Sequence, residues 1–394
     1  MKEYSTVIVS TEVPKPEPTS AGERLIRELY FALREAGHTP IFLAPVPRNG
    51  YAPAYDLPRY FVATGTRPLE RAVARLTRSF TWTPNISFYM ALMRDKQAMS
   101  LLQEAAVIDM QWSSNVLLAP LMRRINPTAR LVGTFHDINE QRLKRRAASE
   151  PQPIKSSMWR AQAITSGLLE GLTTRFLDRV VVLSDKDRAL LRAPKKVKDR
   201  VYTVIPPVYL DFSQPKLQRK PGHNVVFVGT MYRWENHQAV EWFIRQVLPL
   251  IWAKRPEIKF TVVGESPSHD LMKLGEDTRI EFTGFVDDLE PIYAQATLLV
   301  SPIKLGSGVK FKTLDAILRG IPLVSTGAGI EGISQVSWAS ALAESPQAFA
   351  EKVLAVLDDY ETFAQKAGQS AVEASRVYSK EAYQGKIKDV YRGL

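Results

Sequence analysis

The sequence predicts an α/β protein with two domains, each built around a parallel β-sheet. The chain has 394 residues, more than one ordinary hydrophobic core organises, which favours two domains of about 150–200 residues. Both halves repeat one pattern: a short β-branched run, a turn, a segment of helical period and another short apolar run. This alternation is typical of parallel sheets covered by helices, so we expect two Rossmann-like domains facing a central cleft.

The first half begins with the strand "STVIV", followed by a loop and a helix. Leu25, Ile26, Leu29 and Leu33 recur at helical spacing, and Gly37 is placed to end the helix. The further strands predicted in this half are "PIFLA", "AAVIDMQW", "ARLVGTF", "DRVVVLS" and "RVYTVIP". These elements define an N-terminal domain over residues 1–205.

A proline-containing passage, "IPPVYLDFSQPKLQRKPGH", interrupts the pattern and predicts a linker over residues 206–222. The pattern then restarts, which predicts a second domain over residues 223–375. Its strands are "NVVFVG", "KFTVVG", "RIEFTGF", "TLLVSP" and "PLVST". The last segment, 376–394, is expected to be a helix that can cross back to the N-terminal domain.

The composition excludes several kinds of chemistry. The chain has no cysteine, which excludes disulfides, thiolate metal sites and thiol catalysis. Its five histidines show no metal-ligand spacing, so we expect neither a metal nor a cofactor. The start of the chain lacks a signal-peptide core, and no stretch approaches the roughly 18 apolar residues of a membrane span. The protein is therefore expected to be cytoplasmic, with room for peripheral contact at the inner membrane face.

The net charge of +11 is consistent with phosphorylated substrates, acidic lipid headgroups or polyanions. Scattered solvated lysines and arginines would give the same total. The basic run Arg142–Arg146, with the region near Trp159, is where an anionic membrane or an acidic glycan could bind.

One loop combines conformationally free backbone with paired cations just after the predicted strand "TLLVSP". Gly306 and Gly308 lack a Cβ and so let the backbone approach a ligand closely. Lys310 and Lys312 add mobile positive charge suited to phosphate oxygens. A glycine turn with solvated lysines is the structural alternative. All these features together at the carboxyl end of a parallel strand favour a phosphorylated ligand.

A helix follows this loop directly. Thr313, Leu314 and Asp315 are expected in or near its first turn, where N–H groups and the helix dipole favour an anion. Gly320 is placed to end the helix, and Pro322 prevents its continuation. The sequence thus predicts a phosphate site made jointly by the loop and the helix start.

The stretch "GSGVKFKTLDAILRGIPLVSTGAGIEG" resembles the donor-site signature of the family-4-like retaining glycosyltransferases of the GT-B fold. Other stretches resemble the same family in the same order: "PTSAGERLIRELYFALREAGHTPIFLAP", "VGTFHDINEQRLKRR", "FVGTMYRWENHQAVEWFIRQVLPLI", "IKFTVVGESP" and "IEFTGFVDDLEPIYAQATLLVSPI". The resemblance covers most of residues 1–335 and is strongest over 224–332. It implies an N-terminal acceptor domain and a C-terminal donor domain.

For the donor domain the resemblance implies a second phosphate loop, "GTMYRWEN". Gly229 and Thr230 would approach the diphosphate there, and Arg233 would contribute charge. Val286 would hold the nucleobase through its backbone. Asp315 would accept hydrogen bonds from the ribose hydroxyls, in the place of the second glutamate of the family's Glu-x7-Glu pattern.

The sequence departs from the family at two positions. The first glutamate of the pattern falls on Ser307. The family's Arg…Lys pair is represented by Arg233 alone, without a matching lysine. We interpret Lys310 and Lys312 as taking over the role of the missing lysine.

In the N-terminal domain the resemblance places His136, followed by Asp137, where the family has a histidine facing the transferred sugar. Gly22 either approaches the donor phosphate or the acceptor, or simply begins a helix. Glu331 could contact sugar hydroxyls, although a turn position explains it as well.

The resemblance implies transfer of a hexosyl group from a nucleotide-diphosphate sugar to a glycan, lipid or small-molecule acceptor, in polysaccharide or glycoconjugate biosynthesis. Retention and independence of metal are expected, with Arg233, Lys310 and Lys312 stabilising the departing diphosphate. The alternatives are a nucleotide-sugar epimerase or a phosphorylase on the same fold, or a basic nucleic-acid-binding protein. The last lacks a recognisable binding module, so no nucleic-acid partner is expected.

Overall fold

A computed structural model describes residues 5–15, 21–46, 57–77, 85–205, 222–333 and 341–394. The chain forms two units, Met1–Pro207 with Lys380–Leu394 and Val208–Ser379. The predicted linker over residues 206–222 lies outside the described residues except for Gly222.

Within the described residues, the first unit holds a seven-stranded parallel sheet in the order β3-β2-β1-β4-β5-β6-β7. Its strands are β1 (Thr6–Val9), β2 (Pro40–Pro45), β3 (Arg59–Val62), β4 (Val107–Gln111), β5 (Arg130–Phe135), β6 (Arg179–Val182) and β7 (Val201–Thr203). Its helices are α1 (Ala21–Glu35), α2 (Pro68–Thr77), α3 (Ile86–Leu92), α4 (Lys96–Glu104), α5 (Ser113–Val116), α6 (Ala119–Ile125), α7 (Asn139–Ser149), α8 (Pro153–Thr173) and α9 (Asp185–Leu190). Two short 3-10 turns cover Thr174–Phe176 and Lys195–Arg200.

Buried aliphatic side chains hold the helices against this sheet. Leu25, Ile26, Leu29 and Leu33 of α1 are buried, as their helical spacing predicts. After α1, Gly37 adopts a φ of +90°, a conformation that glycine reaches without strain. The strands β1, β2 and β4 are buried over nearly their whole length, as expected for a parallel sheet covered on both faces.

The second unit holds a six-stranded parallel sheet, counted over the described residues, in the order β10-β9-β8-β11-β12-β13. Its strands are β8 (Asn224–Val228), β9 (Lys259–Val263), β10 (Ile280–Gly284), β11 (Leu298–Ser301), β12 (Leu323–Ser325) and β13 (Ala341–Leu342). Its helices are α10 (Trp234–Trp242), α11 (Leu248–Trp252), α12 (His269–Lys273), α13 (Glu290–Gln295), α14 (Phe311–Leu318), α15 (Pro346–Asp358) and α16 (Tyr360–Val377). A 3-10 turn covers Leu274–Glu276.

The helix predicted after β8 is interrupted by a π-helical turn at Phe243–Val247, which joins α10 to α11. Pro249 follows this turn and has no N–H with which to continue the regular hydrogen-bond ladder. The N–H of Leu248 instead donates to the carbonyl of Phe243, five residues back. The wider turn thus accommodates the proline while keeping the helix continuous.

The last helix, α17 (Lys380–Tyr391), belongs to the first unit. Tyr383, Ile387 and Tyr391 are buried in the same apolar cluster as Leu25 and Leu29 of α1. The phenol O–H of Tyr391 also donates to Asp109 on β4. The C-terminal helix is therefore part of the core of the N-terminal unit.

The expected α/β architecture with two parallel sheets is confirmed. The described parts of residues 57–104 contribute β3, α2, α3 and α4, none of which the sequence predicted individually. In β3, Tyr60 bonds through its hydroxyl to Asp95, the residue that caps α4. No helix in the described ranges is both long and apolar enough to cross a lipid bilayer.

Candidate functional site

The two predicted phosphate loops lie at the point where the strand order of the second sheet reverses. β8 and β11 are neighbours in this sheet, although β9 and β10 lie between them in the chain. Gly229 follows β8, and the loop containing Gly306 and Gly308 follows β11. In open α/β sheets, ligands bind outside the carboxyl ends of the strands at such a reversal.

The Lys312 side chain connects the two loops. Its ammonium donates to Oδ1 of Asn236 on α10 at 2.6 Å and lies 4.1 Å from the ring centroid of Phe227 on β8. Asn236 in turn donates through Nδ2 to the carbonyl of Thr230 at 2.8 Å. A lysine from the first turn of α14, which follows the loop after β11, thus reaches the segment after β8.

Gly229 gives Lys312 the space it occupies. A Cβ at this position would lie 2.8 Å from the Lys312 ammonium and 2.8 Å from Nδ2 of Asn236, and the backbone has a φ of +156°. Both the conformation and the close approach therefore require glycine. Thr230, immediately after it, accepts the Asn236 bond through its carbonyl.

Lys310 shapes the glycine loop. Its ammonium donates to the carbonyls of Ser307 at 3.1 Å and Gly308 at 2.7 Å. Gly306 and Gly308 have φ values of +87° and +75°. The Lys310 side chain therefore folds back over the loop.

The positive charges affect one another. Burial lowers the pKa of Lys312 well below its usual range, and the nearby charges of Lys310 and Arg233 lower it further, while Glu235 opposes the shift. Arg233 is the N-cap residue of α10. A polyanion bound among these three cations would relieve their mutual repulsion and return the pKa of Lys312 towards its usual range.

The start of α14 differs in detail from the expectation. Lys310 is the N-cap residue, and the N–H groups of Thr313 and Leu314 already donate to its carbonyl at 2.9 and 3.1 Å. The amides of Phe311 and Lys312 precede these in the first turn, and they point out of the helix start. Anion binding by this helix would therefore use the amides of Phe311 and Lys312 rather than those of Thr313 and Leu314.

The side chains of Thr313 and Leu314 point into the interior of the second unit. Both residues are fully buried. The Thr313 hydroxyl bonds to Ser301 of β11 at 2.9 Å and to the carbonyl of Gly329 at 2.9 Å. These contacts fix α14 against the sheet, so their effect on a ligand would be indirect.

The remaining predicted donor residues lie in the same unit. Asp315 is half-buried, and Oδ2 accepts a long bond of 3.4 Å from the buried Tyr293 hydroxyl. Burial and the charge of Asp315 raise the pKa of Tyr293 above its usual range. Val286 is half-buried in the loop after β10, and Glu331 is half-buried in the turn after β12.

Glu235 and Asn236, which the sequence analysis did not select, belong to this site. The Glu235 side chain packs against Gly306, because a Cβ on that glycine would lie 3.2 Å from the Glu235 Cγ. It thereby brings a carboxylate to the glycine loop after β11, 3.8 Å from the Gly306 Cβ position. Both residues stand at the end of the stretch "GTMYRWEN", in the first turn of α10, but their proximity to Lys312 and Gly306 depends on the pairing of β8 with β11.

The candidate residues of the first unit lie at the ends of β4 and β5. His136 follows β5 and is half-buried. Its ring stacks on Trp112 at a centroid distance of 4.4 Å, and Nε2 lies 2.9 Å from Oε1 of Gln111. Burial lowers the pKa of His136 to about 4, although the charge of Asp137 opposes the shift. The imidazole is therefore neutral near pH 7.

A hydrogen-bonded chain orients this histidine. Gln111 donates through Nε2 to Asp109 and to Oγ1 of Thr134, so its carbonyl oxygen faces His136. An oxygen acceptor requires the proton on Nε2 of the neutral ring, which leaves Nδ1 as a hydrogen-bond acceptor. Asp109 also accepts from Tyr391 of α17. These hydrogen bonds thus connect Tyr391 of α17 to the imidazole of His136 through Asp109 and Gln111.

Gly22 lies beside the same group, in the first turn of α1. A Cβ there would be 3.0 Å from Cζ2 of Trp112. Trp112 adopts a φ of +66°, which is unusual for a bulky residue and marks backbone strain. Gly22 therefore leaves room for the indole that stacks on His136.

Asp109 gives this group a pH dependence that can be measured. Burial raises the pKa of Asp109 to about 7, above its ordinary value of 3.8. Protonated Asp109 therefore stabilises the fold fully at a pH below the pKa of aspartate in the unfolded chain. This stabilisation is lost as the pH rises towards 7. We expect Asp109→Asn to flatten the fall in melting temperature between about pH 4 and pH 7. The exposed Asp185→Asn is the control, and superimposable pH profiles for wild type and Asp109→Asn would contradict the expectation.

No group of three or more His, Asp or Glu side chains among the described residues is placed to hold a metal ion. The loops after β8 and β11, beside Glu235, instead carry three cations, Arg233, Lys310 and Lys312. They could neutralise a diphosphate directly.

Both units match sequence models of known domains. Residues 22–211 match the domain described as Glycosyltransferase Family 4, and residues 222–359 match Glycosyl transferases group 1. A Klebsiella pneumoniae protein, described as an uncharacterized 44.6 kDa protein in the cps region, is 32% identical over 117 residues. That match covers 28% of this chain and 30% of the Klebsiella protein.

Solved structures share the fold over the whole chain. The Anabaena protein HepE, crystallised with UDP and glucose, is 14% identical, with 99% of this chain and 100% of that chain covered and a TM-score of 0.65. A glycosyltransferase from Rickettsia africae is 13% identical, with 100% of both chains covered and a TM-score of 0.62. At this identity the likeness establishes the fold, with its two parallel sheets.

Proposed function

We propose, for a chain that carries both domains of a GT-B glycosyltransferase, that it transfers a hexosyl group from a nucleotide-diphosphate sugar. The acceptor is a glycan, a lipid-linked molecule or a small molecule, in polysaccharide or glycoconjugate biosynthesis. One observation supports the donor site above all: the Lys312 ammonium lies between two phosphate-type loops, 2.6 Å from Asn236 and beside Gly229.

The three cations fit the chemistry of the leaving group. When the bond between the sugar C1 and the diphosphate oxygen breaks, negative charge accumulates on the diphosphate. Arg233, Lys310 and Lys312, together with the amides at the start of α14, would stabilise that charge in fixed positions. A resident metal is not needed for this role, so we propose that transfer is independent of metal.

The donor is proposed to bind in an extended orientation across the second unit. Asp315 accepts hydrogen bonds from the ribose, and the backbone at Val286 holds the nucleobase. We propose that Ser307 and Glu235, which both lie near Gly306, contact the sugar. Crystal structures of HepE contain UDP or UDP-glucose, so uridine nucleotides are the first donors to test.

We propose that transfer occurs with retention. The acceptor oxygen forms a bond to C1 on the face from which the diphosphate departs, and the acceptor proton passes to a leaving phosphate oxygen. His136 presents Nδ1 as an acceptor for a hydroxyl of the transferred sugar. Gly22 acts indirectly, because it leaves space for the Trp112 ring that supports His136.

A thermal-shift screen tests the donor assignment. UDP-, GDP-, ADP- and dTDP-sugars are compared, because a ligand that binds only the folded chain raises its melting temperature. We expect one nucleotide class to give a shift that disappears in Lys312→Met. Absence of a shift with all four classes would contradict the proposal.

Product analysis then separates the proposed activity from the alternatives on the same fold. A transferase consumes the donor only in the presence of an acceptor and releases the nucleoside diphosphate. An epimerase would return an epimerised nucleotide sugar without any acceptor. A phosphorylase would require inorganic phosphate and would release a sugar phosphate.

A further inference from the structure

Helix α8 has its polar face turned inward and its apolar face turned outward. The buried positions are polar or small: Ser156, Gln162, Ala163, Ser166, Gly167, Glu170, Gly171 and Thr173. Ser156 donates to the carbonyl of Ala147 on α7 at 2.7 Å, and Glu170 accepts from Asn139 at 2.7 Å. A surface helix of a globular domain normally buries its apolar side instead, as α1 does.

The outward face carries a row of large apolar side chains. Ile154 is 79% exposed, Met158 is 55% exposed and Leu168 is 48% exposed. Ile164 and Leu172 are exposed as well, and Phe176 continues the row beyond the helix. Residues 154, 158, 168 and 172 fall on one side at about 100° per residue, in a stripe roughly 27 Å long. We call this row, Ile154, Met158, Ile164, Leu168 and Leu172, the α8 stripe.

Basic side chains flank the α8 stripe. Lys155 and Arg160 are exposed and fall on opposite sides of it at about 100° per residue. Lys144 and Arg146 are exposed on the adjacent α7, where Arg146 lies 4.1 Å from the ring centroid of Trp159. The only acidic residues between 142 and 176 are Glu150 and the buried Glu170.

We propose that the α8 stripe and its basic flanks dock on an anionic lipid bilayer. An apolar row bordered by cations is suited to the interface, where the apolar side enters the acyl boundary and the cations meet headgroup phosphates. The helix would lie in the plane of the membrane, with its inner face held to α7.

The charge distribution favours lipid over a second copy of the chain. A symmetric dimer through the α8 stripe would bring Lys155 and Arg160 of one copy near the same basic flanks of the other, and like charges would oppose the contact. An anionic bilayer offers an apolar interior for the α8 stripe and negatively charged headgroups for its basic flanks. The inference does not depend on the proposed transferase activity.

Vesicle co-sedimentation of the full chain tests the proposal. The probes are vesicles of phosphatidylcholine with about one third phosphatidylglycerol, and vesicles of phosphatidylcholine alone, at low salt. We expect binding to the anionic vesicles that falls by at least about tenfold in Met158→Gln/Leu168→Gln/Leu172→Gln. Lys155→Gln/Arg160→Gln should also lower the binding by about tenfold or more, because each cation near the surface contributes to it.

Matched control variants distinguish binding through the α8 stripe from non-specific adsorption to vesicles. Leu69→Gln/Leu76→Gln removes two apolar side chains on α2 that are 64% and 73% exposed, and it should leave vesicle binding unchanged. Lys386→Gln/Lys388→Gln removes two exposed cations on α17 and should have little effect. Unchanged melting temperatures show that each variant is folded.

Three results would overturn the proposal. Wild-type chain that stays in the supernatant with anionic vesicles is one, and a triple α8 variant that sediments like wild type is another. The third is a wild-type dimer in sedimentation velocity that the triple variant converts to monomer, without vesicle binding in either form. That outcome would identify a second copy as the occupant of the α8 stripe.

Discussion

Replacing Lys312 by methionine is expected to weaken binding of the nucleoside diphosphate by about a hundredfold and to lower kcat/KM by a similar or larger factor. Methionine keeps most of the side-chain volume beside Phe227 and removes the charge. The ammonium joins the loop after β11 to Asn236 on α10, so the variant loses both a phosphate contact and a link between the loops. Isothermal titration calorimetry with the donor's nucleoside diphosphate gives the affinity, and initial rates give kcat/KM.

Lys304→Met is the matched control for this experiment. Lys304 lies shortly before Gly306 in the same loop after β11, but its ammonium contacts Trp242, 3.9 Å from the ring centroid, instead of Asn236. Its replacement should change the nucleotide affinity little. Equal losses in Lys304→Met and Lys312→Met, or wild-type affinity in Lys312→Met, would contradict the role assigned to Lys312.

Removal of His136 is expected to separate catalysis from donor binding. We expect His136→Ala to lower kcat by about a hundredfold while the nucleoside diphosphate binds with unchanged affinity, because the cations that hold the diphosphate belong to the second unit. Gln111→Leu should lower kcat by a smaller factor, since it removes the acceptor that orients the imidazole but leaves the ring in place. Steady-state rates and calorimetry on the same preparations measure the two effects.

The pH profile distinguishes an oriented neutral imidazole from a charged one. Because burial lowers the pKa of His136 to about 4, kcat should show no ionisation of this residue between about pH 5.5 and pH 8. His38→Ala is the control, since His38 is also partly buried and bonds to the Thr6 hydroxyl at 3.0 Å. An ionisation near pH 6.5 that vanishes in His136→Ala would show a protonatable base instead.

The sequence was sufficient for the architecture because its strands are short, β-branched and buried on both faces. "STVIV", "ARLVGTF" and "TLLVSP" contain β1, β5 and β11. β3 was not predicted, because its four residues stand among prolines and aromatic residues that give no alternation. The π-helical turn before Pro249 could not be predicted, since a proline in a helical pattern indicates an interruption but not its form.

The donor loops were predictable because glycines, lysines and a helix start coincide in one short segment. Asn236 and Glu235 were not, because their proximity to Lys312 and Gly306 results from the pairing of β8 with β11, more than 60 residues apart in the chain. Asp109 and Gln111 did leave a signal. Two polar residues spaced by two in an apolar strand point to one face, which marks a buried polar group.

Helix α8 shows where periodicity alone misleads. Its spacing places Ile154, Met158, Leu168 and Leu172 on one side, a pattern that normally predicts the buried face. The structure exposes that side, because the opposite side makes hydrogen bonds with α7 through Ser156 and Glu170. Which face of an amphipathic helix is buried therefore depends on whether its polar side chains can form hydrogen bonds with a neighbouring element.

A crystal of the chain soaked with the nucleoside diphosphate found in the screen tests the central claim most directly. We expect diphosphate oxygens within hydrogen-bond distance of the Lys310 and Lys312 ammonium groups and of the amides at the start of α14, with the ribose at Asp315. A diphosphate bound away from the loops after β8 and β11 would contradict the assignment of the second unit as the donor domain.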